Sequence, residues 1–169
     1  MAVAIRVLQQ EGHIRKAMVV DCDVHQGNGT AAIFAGAEDV FTLSIHQFNN
    51  YPTEKPPSTL DIHLDDGVGD SEYLDQLRGP LEAALQGFEP DMLFYVAGAD
   101  PYAEDQLGGL SLTMEGLQQR DRLVMDAAMR LHIPTAVTLA GGYAVQLSDT
   151  VAIHTNTARA CTESLAEWR

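Results

Sequence analysis

Cysteine is nearly absent. Cys22 and Cys161 are the only two in 169 residues, which excludes a disulfide framework and suits a reducing, cytoplasmic setting. Positive charge is also scarce, with 10 Lys and Arg against 24 Asp and Glu and a formal net charge of -14. Such a surface repels phosphate backbones, so nucleic-acid binding is excluded, whereas a lysine-bearing partner is attracted. No apolar run is long enough to span a bilayer. The opening Met1-Ala2-Val3-Ala4-Ile5 is short and is interrupted by Arg6, which argues against a signal peptide. There is no internal repeat, low-complexity tract or interdomain linker, and the length and 46% hydrophobic content suit one globular domain.

Apolar and helical patterns alternate along the chain. Ala2 to Gln10 reads as a helix stopped by Gly12, beginning abruptly at Met1 without a capping residue. Ala17 to Val20, Phe41 to Ile45, Leu60 to Leu64, Met92 to Ala97 and Pro134 to Leu139 read as strands. Between them, Thr30 is expected to cap a short helix over Ala31 to Phe34. Asp70 and Ser71 are expected to cap one carrying Leu74, Leu77, Leu81, Leu85 and Phe88, which Gly79-Pro80 should kink or split. Thr113 should cap a helix ending near His132. The last helix carries Leu147, Val151, Ala158, Cys161, Leu165 and Trp168 as its apolar stripe, with His154 among them. Strands alternating with helices define an α/β fold, a parallel sheet with helices on both faces.

In such sheets chemistry gathers at the carboxyl ends of the strands. The first strand ends in Val20-Asp21-Cys22-Asp23-Val24-His25-Gln26-Gly27-Asn28-Gly29-Thr30. On extended backbone Asp23 and His25 share a face, and a carboxylate with an imidazole suits a divalent metal. The fourth strand leads to Asp100 and the fifth to Gly141-Gly142-Tyr143, the tyrosine being a fit hydrogen-bond donor to a developing oxyanion. Singly, each is more often a turn or capping residue, and their joint placement at strand ends is what points to a site. The loop from Gln47 to Leu60, with Asn49-Asn50-Tyr51-Pro52, reads as lining that site. Two carboxylates and one imidazole do not separate Zn²⁺ from Fe²⁺.

Asp21 to Thr30, Ser44-Ile45-His46, Gly98-Ala99-Asp100-Pro101, Asp105-Gln106-Leu107-Gly108 and Gly141-Gly142-Tyr143 together resemble the zinc-dependent histone deacetylase family. That family shares its fold with arginase and includes bacterial deacetylases and acetoin-utilisation proteins. His25-Gln26, where many members have two histidines, resembles the class IV branch and its bacterial relatives. The resemblance spans Ala2 to about Arg159. It implies Asp23, His25 and Asp100 as zinc ligands and Tyr143 as the residue that polarises an amide carbonyl. It also implies a monovalent cation, K⁺ or Na⁺, at Asp21, Asp23, His25, Ser44 and the carbonyl of Ile45. A second such site would fall near Phe34, Ala37 and Val40. The arginase branch, with two manganese ions, needs an Asp where Gly27 stands, so the resemblance implies one catalytic metal. The substrate implied is an acylated lysine peptide or a small acylated amine, cleaved by metal-activated water.

One departure matters. The family's general acid–base pair is two adjacent histidines on an upstream glycine-rich loop, and among His13, His25, His46, His63, His132 and His154 none are adjacent. Asp21 and Asn28 stand where the family orients that pair. The reading is therefore of residues 1–169 as one deacetylase-like domain without the family's N-terminal portion, inactive or weak alone. Three possibilities stay open: a zinc amidohydrolase, a non-catalytic metal-binding or assembly module, and a half completed by another chain. Missing strands would uncover a sheet edge, so a homodimer is expected.

Overall fold

The computed structural model describes residues 1–167. Trp168, assigned above to the last apolar stripe, lies outside the described residues. Five parallel strands, β1 (Ala17–Asp21), β2 (Val40–Gln47), β3 (Leu60–Leu64), β4 (Met92–Gly98) and β5 (Thr135–Ala140), lie side by side in the order β3-β2-β1-β4-β5. The helices are α1 (Ala2–Gln10), α2 (Asn28–Ile33), α3 (Asp70–Phe88), α4 (Met114–Arg130) and α5 (Leu147–Glu167). The α/β expectation holds.

The central strand β1 is buried along its whole length, as a strand covered on both faces must be. Met18 and Val20 face one core with Leu43, Ile45, Leu77, Leu81 and Val124, under α3 and α4. Ala17 and Val19 face the other, with Ile5 of α1, Phe34, Val40 and Phe94. Because the strands are parallel, all five carboxyl ends meet on one edge. Register fixes who meets whom: Asp21 stands opposite Ser44 on one side and Val96 on the other.

Four local expectations are corrected. The helix over 70–88 is not split but is one element with Pro80 inside it. An interior proline costs about 3 kcal/mol, whereas each buried leucine returns about 1.5–3 kcal/mol. Leu74, Leu77, Leu81 and Leu85 on one face outweigh the break, and Gly79 lies on the exposed side. This helix is not capped by Asp70 or Ser71. Gly69 holds the cap position, and the Asp70 carboxylate instead accepts from Thr113 N at 2.8 Å and Thr113 Oγ1 at 2.7 Å. Thr113 does cap α4, accepting from Gly116 N at 3.0 Å. Thr30 lies inside α2, which starts at Asn28 after Gly27.

The fourth correction concerns α5. Its buried face is Thr150, Ile153, Thr157, Ala160 and Ser164, while Leu147, Val151 and Leu165 are exposed. Small hydroxyl side chains let α5 approach α4 closely, and α4 supplies their partners. Thr157 Oγ1 donates to Asp121 at 2.6 Å and Ser164 Oγ to Asp126 at 2.8 Å. The apolar stripe is left on the outside.

Candidate metal centre

Beyond β1 the chain does not continue extended, as expected, but bends through residues 23–25, where His25 N donates to Asp23 Oδ1 at 3.0 Å and the bend brings the two side chains together. Asp100 follows β4, the neighbouring strand. Possible ligand atoms of Asp23, His25 and Asp100 all lie within 4.8 Å of one another. His25 Nδ1 is 3.0 Å from Asp23 Oδ1 and 3.3 Å from Asp100 Oδ2. The strand ends are tied directly, since Val24 N donates to Asp100 Oδ1 at 2.9 Å. Glycine is required at two points of this approach. A Cβ on Gly98 would lie 2.6 Å from the Cα of Asp23, and one on Gly141 would collide with the Asp100 carboxyl.

The electrostatics are those of a cation site. Burial pushes Asp100 up to about 6, against the hydrogen bond from His25. Burial also raises Asp23, but the side-chain and backbone hydrogen bonds from His25 outweigh it and hold this carboxyl below its ordinary value. His25 is raised to about 10 by its hydrogen bonds to Asp100 and Asp23. Two converging carboxylates thus demand positive charge between them, and a protonated imidazole supplies it in the protein alone. A divalent ion satisfies the same demand, and two carboxylate oxygens with one imidazole nitrogen are a fitting donor set for zinc.

The surrounding residues fall as follows. Asp21 is buried and pushed up to about 7 by desolvation, and its Oδ1 accepts from Asp23 N at 3.1 Å. Ser44, its register partner, accepts weakly from Gly27 N at 3.4 Å and is 2.9 Å from His46 Nδ1. Ile45 is fully buried in the core. Asn28 opens α2 and accepts from Gly29 N at 2.9 Å. Phe34 and Ala37 form a turn, Ala37 N donating to Phe34 O at 3.0 Å, and Val40 opens β2. Gly141 and Gly142 have φ of 28° and 140°, a turn that glycine alone adopts easily. Tyr143 follows, 62% exposed, its backbone N held by Asp105 Oδ2 at 2.5 Å. His154 lies behind the turn, with its Nε2 3.6 Å from where a Gly142 Cβ would be. The expected loop does border the site, Tyr51 packing edge-on to His25 with ring centroids 6.4 Å apart.

One histidine pair is adjacent in space. His46 Nε2 and His63 Nδ1 are 3.0 Å apart across β2 and β3. His46 is fully buried and both its nitrogens are engaged, so it has none to offer a substrate. Sequence reasoning also passed over Arg120 and Asp121, and it quoted Asp105 within a motif without giving it a role. The signal for the first two was a charged pair between Leu117 and Val124 on an apolar helix face. For Asp105 it was an acid ahead of Leu107-Gly108-Gly109, where its Oδ1 accepts from Leu107 N and Gly108 N at 2.8 and 2.9 Å.

Fold and site together define a parallel α/β protein with two carboxylates and an imidazole, a group that could hold a metal ion, at the carboxyl edge of its sheet. Residues 1–158 match the model of the histone deacetylase domain. The chain is 42% identical over 154 residues to an uncharacterised protein of Picosynechococcus, covering 91% of this chain and 51% of that one. It is 34% identical to the chloroplastic histone deacetylase 10 of Oryza sativa subsp. japonica, covering 90% of this chain and 37% of the other. Among solved structures, the HD domain of HDA15 superposes with a TM-score of 0.78 at 26% identity, over 96% of this chain and 49% of that one. The chain belongs to the histone deacetylase domain family, and it spans about half the length, or less, of these relatives.

Proposed function

We propose that this chain is a single deacetylase-like domain carrying the metal half of a zinc amidohydrolase site. Asp23, His25 and Asp100 are its ligands, and its substrate is an acylated lysine peptide or a small acylated amine. The convergence of three ligand atoms within 4.8 Å carries the reading. Zinc bound there supplies Lewis acidity towards an amide carbonyl and a lowered pKa for water, and ferrous iron suits the same donors. Tyr143, exposed on the turn that Asp105 fixes, donates to the carbonyl oxygen as negative charge develops. Asp21, Ser44 and the Ile45 carbonyl hold a K⁺ or Na⁺ ion beside the zinc ligands, Asn28 borders them, and Gly141 and Gly142 shape the pocket turn. A second such ion lies near Phe34, Ala37 and Val40. The acidic surface favours a lysine-bearing substrate.

The residues described here provide no tandem histidines to move protons, and such a group is worth about 10²–10⁴ in rate. Zinc-loaded chain incubated with acetyl-lysine peptide is therefore expected to bind peptide and to release acetate very slowly. Robust release would overturn the proton-shuttle argument, and failure to bind either zinc or peptide would overturn the assignment of the site. A second reading, assembly with another copy or chain, is favoured by the outer strand β5. Its Leu139 is 58% exposed, and Tyr143, Val145, Leu147 and Val151 nearby in sequence are exposed as well. We take a homodimer through this side as the form it adopts.

A further inference from the structure

Arg120 is fully buried in the middle of α4, a place where a guanidinium needs complete compensation. It has that compensation. Nε and Nη2 donate to Asp121 Oδ1 at 3.0 and 2.8 Å. Asp121 is held in turn by Tyr95, whose hydroxyl donates to Oδ1 at 2.5 Å, and by Thr157, whose hydroxyl donates to Oδ2 at 2.6 Å. The remaining nitrogen, Nη1, reaches the backbone: it donates to Gly98 O at 2.7 Å and to Cys22 O at 3.2 Å.

Those two carbonyls have a special location. Cys22 directly precedes Asp23, and Gly98 lies two residues before Asp100. One guanidinium nitrogen thus bridges the ends of β1 and β4 at the point where each strand delivers a carboxylate. The approach is already tight there, since a Cβ on Gly98 would meet Asp23. The planar fork is oriented by one carboxylate fixed from both β4 and α5. A lysine ammonium on a flexible stem would carry the charge without that geometry.

We infer that Arg120 is a positioning residue for the Asp23–His25–Asp100 site, holding the two strand ends at the separation that brings the ligand atoms together. The inference rests on the metal-site reading above. Groups that orient metal ligands typically contribute about 10- to 100-fold in metal affinity.

The test is a titration of the chain with Co²⁺, followed by its visible d–d absorption, for the native protein, Arg120→Lys and Leu77→Ala. Leu77 is a buried core residue of α3 that takes no part in the hydrogen bonds of Arg120 or of the ligand set, and its truncation serves as a control for destabilisation alone. The native chain is expected to bind and to show d–d bands. Arg120→Lys is expected to bind at least about tenfold more weakly with shifted bands, whereas Leu77→Ala binds like the native chain despite a lower Tm. Native affinity and spectrum in folded Arg120→Lys would overturn the inference, as would an equal loss of affinity in Leu77→Ala. If Arg120→Lys does not fold, Tyr95→Phe carries the test, because it removes one bond that orients Asp121 while keeping Arg120. Weakened Co²⁺ binding by Tyr95→Phe supports the inference and unchanged binding counts against it. Absence of Co²⁺ binding by the native chain would instead remove the metal-site reading, and this inference with it.

Discussion

Asp21 and His25 make the metal-free protein sensitive to pH in one direction. Burial raises Asp21 from its ordinary value to about 7, so the folded chain holds a proton that the unfolded chain has lost, and stability falls as pH rises from about 4 to 7. His25 is raised to about 10 by its two carboxylate partners, so its stabilising contribution is complete below about 6.5 and is lost as pH rises through 10. His46, lowered to about 4 by burial, opposes Asp21 between about pH 4 and 6.5, so over pH 4 to 10 the fall in Tm of the metal-free chain is expected above pH 7, where His25 loses its proton. Added zinc should raise Tm more at pH 8 than at pH 6, because it competes with the His25 proton. Thermal melts across that range with chelator and with zinc check this. A flat or rising metal-free profile above pH 7 would contradict the environment assigned to His25.

Glycine gives a second prediction at this scale. Gly98→Ala should weaken zinc binding by well over tenfold, because the added methyl must push Asp23 away from Asp100. Isothermal titration with zinc measures it. The convergence of Asp23, His25 and Asp100 was legible in the sequence because acids and a histidine following apolar runs are conspicuous. Arg120 was not, because its meaning depends on which carbonyls α4 happens to cross, and no spacing encodes that.

Among the elements, α3 shows tertiary burial prevailing over local preference. Gly79-Pro80 reads as a kink or a split, and the leucines on either side pack into one core and keep the helix from splitting. Pro80→Ala is therefore expected to stabilise the chain by about 1–3 kcal/mol, restoring a backbone hydrogen bond on an already formed helix. Urea unfolding would show a higher midpoint, and a lower one would mean that Pro80 is needed where it stands. The strands were readable because buried parallel strands are nearly continuous apolar runs. The face of α5 was misread for the opposite reason. Apolar periodicity marked Leu147, Val151 and Leu165, yet the helix buries hydroxyls that carboxylates on α4 satisfy, a pairing visible only once both helices are placed.

On the scale of the whole molecule, that outward stripe and the outer strand β5 lie in a protein with a net charge of -14. Two copies repel each other, so any dimer must form through apolar and backbone contacts. Light scattering at micromolar concentration should report a dimer that tightens as salt screens the repulsion, and Leu139→Lys should shift it towards monomer. A monomer at all salt concentrations would contradict the proposal. No helix among the described residues is long and apolar enough to cross a membrane. The order of the sheet was not legible in the sequence, because alternating strands and helices permit several orders, and only the observed one sets β1 between β2 and β4.

The measurement that bears most directly on the central claim is the metal content of the purified chain by elemental analysis, beside Asp100→Ala. The account predicts about one zinc per native chain and almost none in the variant, since removing one of three ligands leaves too few donors. A native chain without zinc after loading, or a variant that retains it, would contradict the claim that Asp23, His25 and Asp100 form a metal centre.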